Sequence, residues 1–398
     1  MDRPRLEMAD VFRRHGQSYL DRHSGVIPLE HRRVMNAIAL CRTAALGGHL
    51  EQCSQCGRQH PCYNPCSNRH CPKCQSLARA QWIEDRKSEL LDCPYFHAVF
   101  TVPEQIAAIA LQNKRTVYGI LFRAASETLL TIGADPQHLG AQIGFFAVLH
   151  TWGQNLLHHP HLHCVVPGGG LSPDGSRWIP SRPGFFLPVR VLSRLFRRLF
   201  LEYLQDAFEA AGLRFAGALE SLADPIQWDA YLAPVRRAEW VVYTKPPFGG
   251  PAQVLDYVGR YTHRVAISNN RIRDIGDRHV TFQWKDYRDT DRQKVMTLEA
   301  DEFIRRFLLH VLPQRFQRIR YYGFLANRQR KQKLEQCRQC LVMPEPVPQP
   351  EAPRDYRDRA EQITGVSLRL CLVCRKGTMI PIRILAPEFR RSPFQDSS

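Results

Sequence analysis

The sequence predicts an α+β protein: an antiparallel sheet backed by helices in the ferredoxin-like manner, with a small cysteine-bearing module at either end. Two observations carry this. Between residues 96 and 264, apolar runs of strand length alternate with amphipathic stretches in the order β-α-β-β-α-β-α, a pattern that suits a sheet covered by helices. Four Cys-x-x-Cys pairs, Cys53/Cys56, Cys71/Cys74, Cys337/Cys340 and Cys371/Cys374, stand two near each end.

Phe96 to Val102 reads as a strand and Glu104 to about Leu130 as one long helix. Ile143 to His150 and His161 to Val166 are apolar strands joined by a polar connection, followed by turns at Gly168-Gly169-Gly170 and Ser172-Pro173-Asp174-Gly175. Val189 to Ala211 is a basic amphipathic helix, Glu239 to Lys245 a strand, and Pro251 to Arg264 a helix with proline in its first turn. Short strands over 265–268, 271–275 and 279–284 follow, with Asn269-Asn270 as a hairpin turn, then a helix over 299–311. Ahead of the sheet, 30–46 and 75–91 read as helices. Beyond it, 314–333 is densely basic with Tyr321, Tyr322 and Phe324 interleaved, and 344–353 is a Pro/Glu linker. The expected division is a helical and cysteine-bearing domain over 1–90, the sheet domain over 91–325, and a basic segment, linker and C-terminal four-cysteine module over 326–398.

Of 398 residues, 44% are hydrophobic, which excludes wholesale disorder, and the net charge of +17 suits a polyanionic partner. Neither a signal-peptide core at the N-terminus nor a membrane-spanning apolar run is present in the sequence, so a soluble cytoplasmic protein is expected. In that compartment paired cysteines mean metal rather than disulfides. Tetrahedral zinc takes four thiolate or imidazole ligands, and the x-x spacing lets two sulfurs converge through one turn. Cys53, Cys56, Cys71 and Cys74 therefore read as one structural zinc site. Cys66 and His70, with His49 or Cys62, are surplus ligands for a second. Cys337, Cys340, Cys371 and Cys374 read as a C-terminal site, separated by a loop of about 30 residues that chain entropy tolerates.

His161-Leu162-His163 lies inside a strand, where alternation sends both imidazoles to one face. Such a pair can hold a divalent ion in a partly open site. For a third ligand, Gln154 is best placed in the preceding hairpin arm as an oxygen donor; His150 and His159 are the alternatives. Tyr257 and Tyr261 are four apart and share one helix face. Val254, Tyr257, Val258, Tyr261 and Val265 also form an apolar stripe of the kind that is ordinarily core, and Gly259 in mid-helix costs about 1 kcal/mol against alanine, which points to a close approach there. A tyrosine attacking a phosphodiester needs a cation to polarise the phosphate, and the two motifs together meet that need.

The run His159-Pro160-His161-Leu162-His163-Cys164-Val165-Val166-Pro167-Gly168-Gly169-Gly170, the run from Lys245 through Tyr257-Val258-Gly259-Arg260-Tyr261 to Asn269, and the segment Tyr63 to Gln75 resemble the two-tyrosine HUH transposases of rolling-circle bacterial insertion sequences, the IS91 type. The resemblance covers about residues 30 to 325. It implies the HUH endonuclease fold, Mg²⁺ or Mn²⁺ at His161 and His163, nucleophilic roles for Tyr257 and Tyr261, and structural Zn²⁺ at the N-terminal cysteines, one or two ions; the one C-terminal Zn²⁺ is expected from the cysteine spacing alone. Lys245, Arg260, Arg264 and Asn269 lie in the matching motifs as candidates for DNA phosphate. The implied substrates are single-stranded DNA and the hairpin ends of an element, with host replication machinery as partner, no membrane and no small-molecule cofactor. The implied location is nucleoid-associated when DNA-bound. One tyrosine would attack to leave a 5′-phosphotyrosine link and a free 3′-OH, and the second would serve the other end or the target. The same residues leave open a rolling-circle replication initiator, a hydrolytic metal-dependent nuclease, and a zinc-bearing single-strand-binding protein.

Overall fold

The computed structural model describes residues 5–245, 253, 259, 265–286, 292–344, 355, 357–358, 361–362, 365 and 367–388. The chain opens with helices α1 (Met8–Arg22) and α2 (Leu29–Leu40), strands β1 (Gly48–Cys53) and β2 (Gln59–Tyr63), and helix α3 (Pro72–Lys87). Helix α1 begins where the Glu7 N–H donates to the Asp10 carboxylate at 2.9 Å, one half of a capping box. Proline in the first turn starts α3 immediately after Cys71.

Strand β3 (Tyr95–Thr101), helices α4 (Glu104–Gln112) and α5 (Lys114–Ala134), strands β4 (Gly144–Trp152) and β5 (His158–Pro167), the small pair β6 (Gly169–Leu171) and β7 (Trp178–Pro180), helices α6 (Val189–Glu209) and α7 (Pro225–Arg237), and strand β8 (Val242–Lys245) follow. The predicted single helix over 104–130 is broken at Asn113. Its amide donates to the Ile109 carbonyl at 3.1 Å and the Arg214 carbonyl at 2.8 Å and accepts from the Arg214 N–H at 2.7 Å, so the side chain competes with the helix ladder and ties in a distant loop.

Beyond β8 come β9 (Ile272–Ile275), β10 (His279–Asp286), β11 (Arg292–Glu299), α8 (Ala300–Leu309), β12 (Ile319–Gly323), α9 (Arg330–Cys340) and β13 (Met379–Leu385). Residues 269–271 form a short 3₁₀ turn where a hairpin was expected. The helix expected over 251–264 lies outside the described residues except at 253 and 259, which are helical.

The main sheet has the strand order β12-β4-β5-β3-β8, antiparallel throughout. The unit β3-α-β4-β5-α-β8 is the split β-α-β arrangement of ferredoxin-like folds, with β5 and β3 central and β12 added beside β4. One face carries Phe96, Ala98, Phe100, Phe145, Ala147, Leu149, Leu162, Cys164 and Val166, buried against α5 and α6. The residues between them belong to the opposite face. There, Tyr95, Phe146, Val165 and Ile319 pack under Trp82 and Ile83 of α3. A second core joins α1 and α2 to the β9-β10-β11 meander and α8. Among the described residues no helix is long and apolar enough to cross a membrane.

Candidate functional site

The face of the sheet turned toward α3 gathers four histidines. The register sets His150 of β4 opposite His161 of β5, and Val148 opposite His163. Ligand nitrogens of His150, His161 and His163 all lie within 4.8 Å of one another. His150 is 2% exposed and His163 8%, so the trio opens toward solvent mainly at His161. The ring of His150 stacks on Trp152 with centroids 4.6 Å apart.

Outer contacts orient the ligands. His161 Nδ1 donates to the His159 carbonyl at 2.7 Å, which leaves Nε2 with the lone pair. His163 Nδ1 lies 2.8 Å from Nε2 of His97 on β3, so Nε2 of His163 is the nitrogen that would meet a metal. Burial pushes the His97 imidazole down to about 3, with Lys245 and His161 adding to it, so His97 stays neutral. His97 escaped the sequence reading because it lies in an apolar strand remote from the histidine-rich run. Three neutral imidazoles fit a divalent transition ion.

His150, one of the alternatives to Gln154 as third ligand, is the one whose ring nitrogen falls within the group formed by His161 and His163. Gln154 lies in the connection beyond β4, where its backbone carbonyl accepts from the Arg271 guanidinium. His159 contributes its carbonyl and its ring is not in the trio.

Tyr257, Arg260, Tyr261 and Arg264 fall outside the described residues. Gly259 between the tyrosines is described: it is buried, and a Cβ built on it would come 2.2 Å from Ile83 Cδ1 and 2.7 Å from Ile83 Cγ1. The backbone there touches α3, the helix that also packs on the histidine-bearing face. Lys245, at the end of β8, pairs in register with His97. The Asn269 side chain is buried, and its carbonyl oxygen accepts the Met8 N–H at 3.0 Å.

The cysteines converge differently from their spacing. Cys41, Cys66, Cys71 and Cys74 form one group, and Cys53, Cys56, Cys371 and Cys374 another. Sulfur pairs stand 3.6 Å (Cys41–Cys74), 3.7 Å (Cys66–Cys74), 3.6 Å (Cys53–Cys374) and 3.8 Å (Cys56–Cys371) apart. A tetrahedron with Zn–S bonds of about 2.3 Å has edges of about 3.8 Å, whereas a disulfide needs about 2.05 Å. Both groups fit structural zinc. Backbone N–H groups of Gly377 and Lys376 lower the Cys374 thiol to about 6, toward the ligating thiolate.

Cys53/Cys56 thus pair with Cys371/Cys374, not with Cys71/Cys74, and β13 is antiparallel to β1 so that both ends of the chain build one module. Cys337 and Cys340 are corrected too. Cys337 is buried on α9 among Leu91, Phe324 and Leu334, and Cys340 Sγ reaches the Gly175 carbonyl at 3.8 Å. His70 joins neither group; it is buried near His310, accepts the Leu312 N–H at 3.5 Å, and burial holds its pKa well down. Cys41, closing α2, was missed because it stands alone, 25 residues ahead of Cys66. His49, Glu51 and Cys62 form a third group, but Glu51 is already bound by Arg357 at 2.6 Å.

Residues 144–333 match a family model described as "Putative transposase", and residues 11–102 one described as "Transposase zinc-binding domain". The chain is 66% identical to "Putative transposase y4qJ" of Sinorhizobium fredii (strain NBRC 101917 / NGR234), covering 96% of each chain. It is 28% identical to "Transposase for insertion sequence element IS801" of Pseudomonas savastanoi pv. phaseolicola, over 90% of this chain and 84% of that one. No solved structure matches.

Proposed function

The chain belongs to the IS91-type transposases, and on that premise we propose that it cuts and rejoins single DNA strands through tyrosine. The supporting observation is one juxtaposition. The His150–His161–His163 trio opens on the sheet face that α3 covers, and Gly259, between Tyr257 and Tyr261, is packed on α3 at Ile83.

A divalent cation held by the three imidazoles would polarise the scissile phosphate and offset the charge that gathers there during displacement. With His150 supplying nitrogen in place of an oxygen donor, the set suits Mn²⁺ better than Mg²⁺, which demands oxygen ligands. The oxygen of Tyr257 or Tyr261 bonds to phosphorus, the P–O3′ bond breaks, and the proton lost by tyrosine ends on the departing 3′ oxygen. The result is a 5′-phosphotyrosine link and a 3′-OH. That hydroxyl primes synthesis by host replication enzymes, and the second tyrosine repeats the step at the other end or the target. The substrate is a single strand or hairpin at an element end, met at the nucleoid. The two zinc modules hold the N-terminal region and the returning C-terminus as a rigid frame.

The test uses purified protein, Mn²⁺ or Mg²⁺, and single-stranded DNA spanning the flanking element ends, labelled 3′ to the nick. A metal-dependent protein–DNA adduct on a denaturing gel, lost in His161→Ala and in Tyr257→Phe/Tyr261→Phe, is expected. Cleavage without an adduct would mean hydrolysis by water and would overturn the tyrosine roles. So would full adduct formation by the double tyrosine variant.

A further inference from the structure

A groove of about 650 Å³ runs between the N-terminal half of α3 and the edge strand β12. Arg69 and Arg318 line it together with Gln75, Gln317, Asn327 and Tyr321, and among the described residues its lining carries no carboxylate. Arg69 is anchored by donating to the Phe316 carbonyl at 2.7 Å, which holds its guanidinium in the wall. Burial, with the neighbouring Arg69 charge adding to it, lowers the Arg318 pKa to about 10. Two like charges held side by side in a partly dehydrated wall favour an anion between them.

The groove's position relates it to the histidines. Ile319 in its lining pairs with Val148, and Val148 pairs on its other side with His163. Two strand spacings, roughly 10 Å, therefore separate the groove from the histidine-bearing strand. Ile319 also packs with Trp82, Ile83 and Val165 on the α3 side of the sheet, the side that carries the trio. Here the cations and the cavity coincide two strands from the histidine-bearing one.

We infer that this groove binds the sugar–phosphate backbone of the single DNA strand flanking the scissile phosphate, with Arg69 and Arg318 on its phosphates. The inference rests on the reading of the protein as a strand-cleaving transposase and adds the route by which the strand reaches the trio. Amide side chains at Gln75, Gln317 and Asn327 would serve sugar and phosphate oxygens without selecting a base. The contact is consequently sequence-tolerant and salt-sensitive.

The experiment is binding of the full-length, zinc-loaded protein to a fluorescent single-stranded oligonucleotide, without divalent metal, between 50 and 200 mM salt. Arg69→Gln and Arg318→Gln are each expected to weaken binding about tenfold and to reduce the slope of log K against log salt by about 0.7 per lost phosphate. Gln317 is exposed, so Gln317→Glu tests the groove without disturbing the core, and it should weaken binding as well. Arg198→Gln, exposed on α6 at the other face of the sheet, should bind as the parent does. Parental affinity and slope in Gln317→Glu and in whichever arginine variants keep their zinc and helix content would overturn the proposal. If that happened while the parent still formed its adduct, the cleavage reading would stand and the groove alone would fall. Loss of binding in these variants with no adduct from the parent would retain the groove and remove the cleavage reading.

Discussion

His97 and His163 lie edge to edge across β3 and β5, ring planes 6° apart and centroids 5.0 Å apart, with Nε2 of one 2.8 Å from Nδ1 of the other. When His163 offers Nε2 to a metal its Nδ1 carries the proton, so His163 donates and His97 accepts. A neutral acceptor in that position fixes both the tautomer and the ring orientation of the ligand.

His97→Ala should therefore lower Mn²⁺ affinity by about ten- to a hundredfold without touching the metal directly. Titration of Mn²⁺ by its paramagnetic resonance signal measures this. His97→Gln, which keeps an acceptor of similar reach, should recover part of the loss. Metal-free binding of single-stranded DNA should be the same in all three proteins. An unchanged Mn²⁺ affinity in His97→Ala would show that the hydrogen-bonded pair does not orient the ligand.

Gly259→Ala places a methyl group 2.2 Å from Ile83 Cδ1, a distance that forces either Ile83 or the tyrosine-bearing segment to move. Overpacking of this kind costs about 1–3 kcal/mol. If the strain is relieved by moving the segment, adduct formation should slow by about five- to a hundredfold. Ile83→Ala removes the obstructing atoms, so the double variant Gly259→Ala/Ile83→Ala should regain most of the rate. Single-turnover adduct kinetics for the parent and three variants checks it; a double variant as slow as Gly259→Ala would refute the contact.

Zinc content distinguishes the observed cysteine groups from the sequential pairing. The parent should hold two ions per chain. Cys41→Ser and Cys371→Ser should each reduce this to one, because each breaks a different group. Cys337→Ser should leave two, since Cys337 is a buried side chain on α9. Native mass spectrometry reads the count directly. Removal of the chain beyond residue 366 should behave as Cys371→Ser does, the N-terminal pair Cys53/Cys56 having lost its partners.

How much of this was legible in the sequence follows from the range of each interaction. His161 and His163 were readable because strand alternation is local and has period two. The split β-α-β order was readable because helix and strand patterns alternate between 96 and 245. His150 joins His161 and His163 through the register of β4 on β5, which spacing leaves undetermined. Cys371 and Cys374 meet Cys53 and Cys56 only because β13 returns to β1, a pairing across more than 300 residues. Strand β12 was hidden inside a basic stretch, since this short edge strand reads Ile-Arg-Tyr-Tyr-Gly and has no apolar–polar alternation to mark it. Asn269 was a candidate through its place in the matching motif, and its hold on the start of α1 depends on a contact across 261 residues that no local pattern shows.

Acid stability should be set in part by His310. It is buried, with Nδ1 3.2 Å from the Thr151 hydroxyl and Nε2 3.1 Å from the Leu156 carbonyl, so it accepts from Thr151 and donates to Leu156 as a neutral ring. Burial, with smaller pushes from His158 and Lys114, lowers its pKa to about 3. The ordinary value in the unfolded chain is about 6.5, so between those values the unfolded state binds more protons than the folded one. The contribution to stability is complete above about pH 6.5 and is lost progressively as pH falls toward 3. At pH 5 the loss amounts to about 2 kcal/mol for this one group. His310→Gln cannot titrate, and an amide can make the same accepting and donating contacts. Denaturant unfolding at pH 7.5 and pH 5 should thus show the parent losing about 2 kcal/mol more than His310→Gln. Comparing the two proteins cancels the loss of zinc thiolates, which both share. Equal losses would mean that His310 is protonated in the folded chain and that the Leu156 and Thr151 contacts do not hold it neutral.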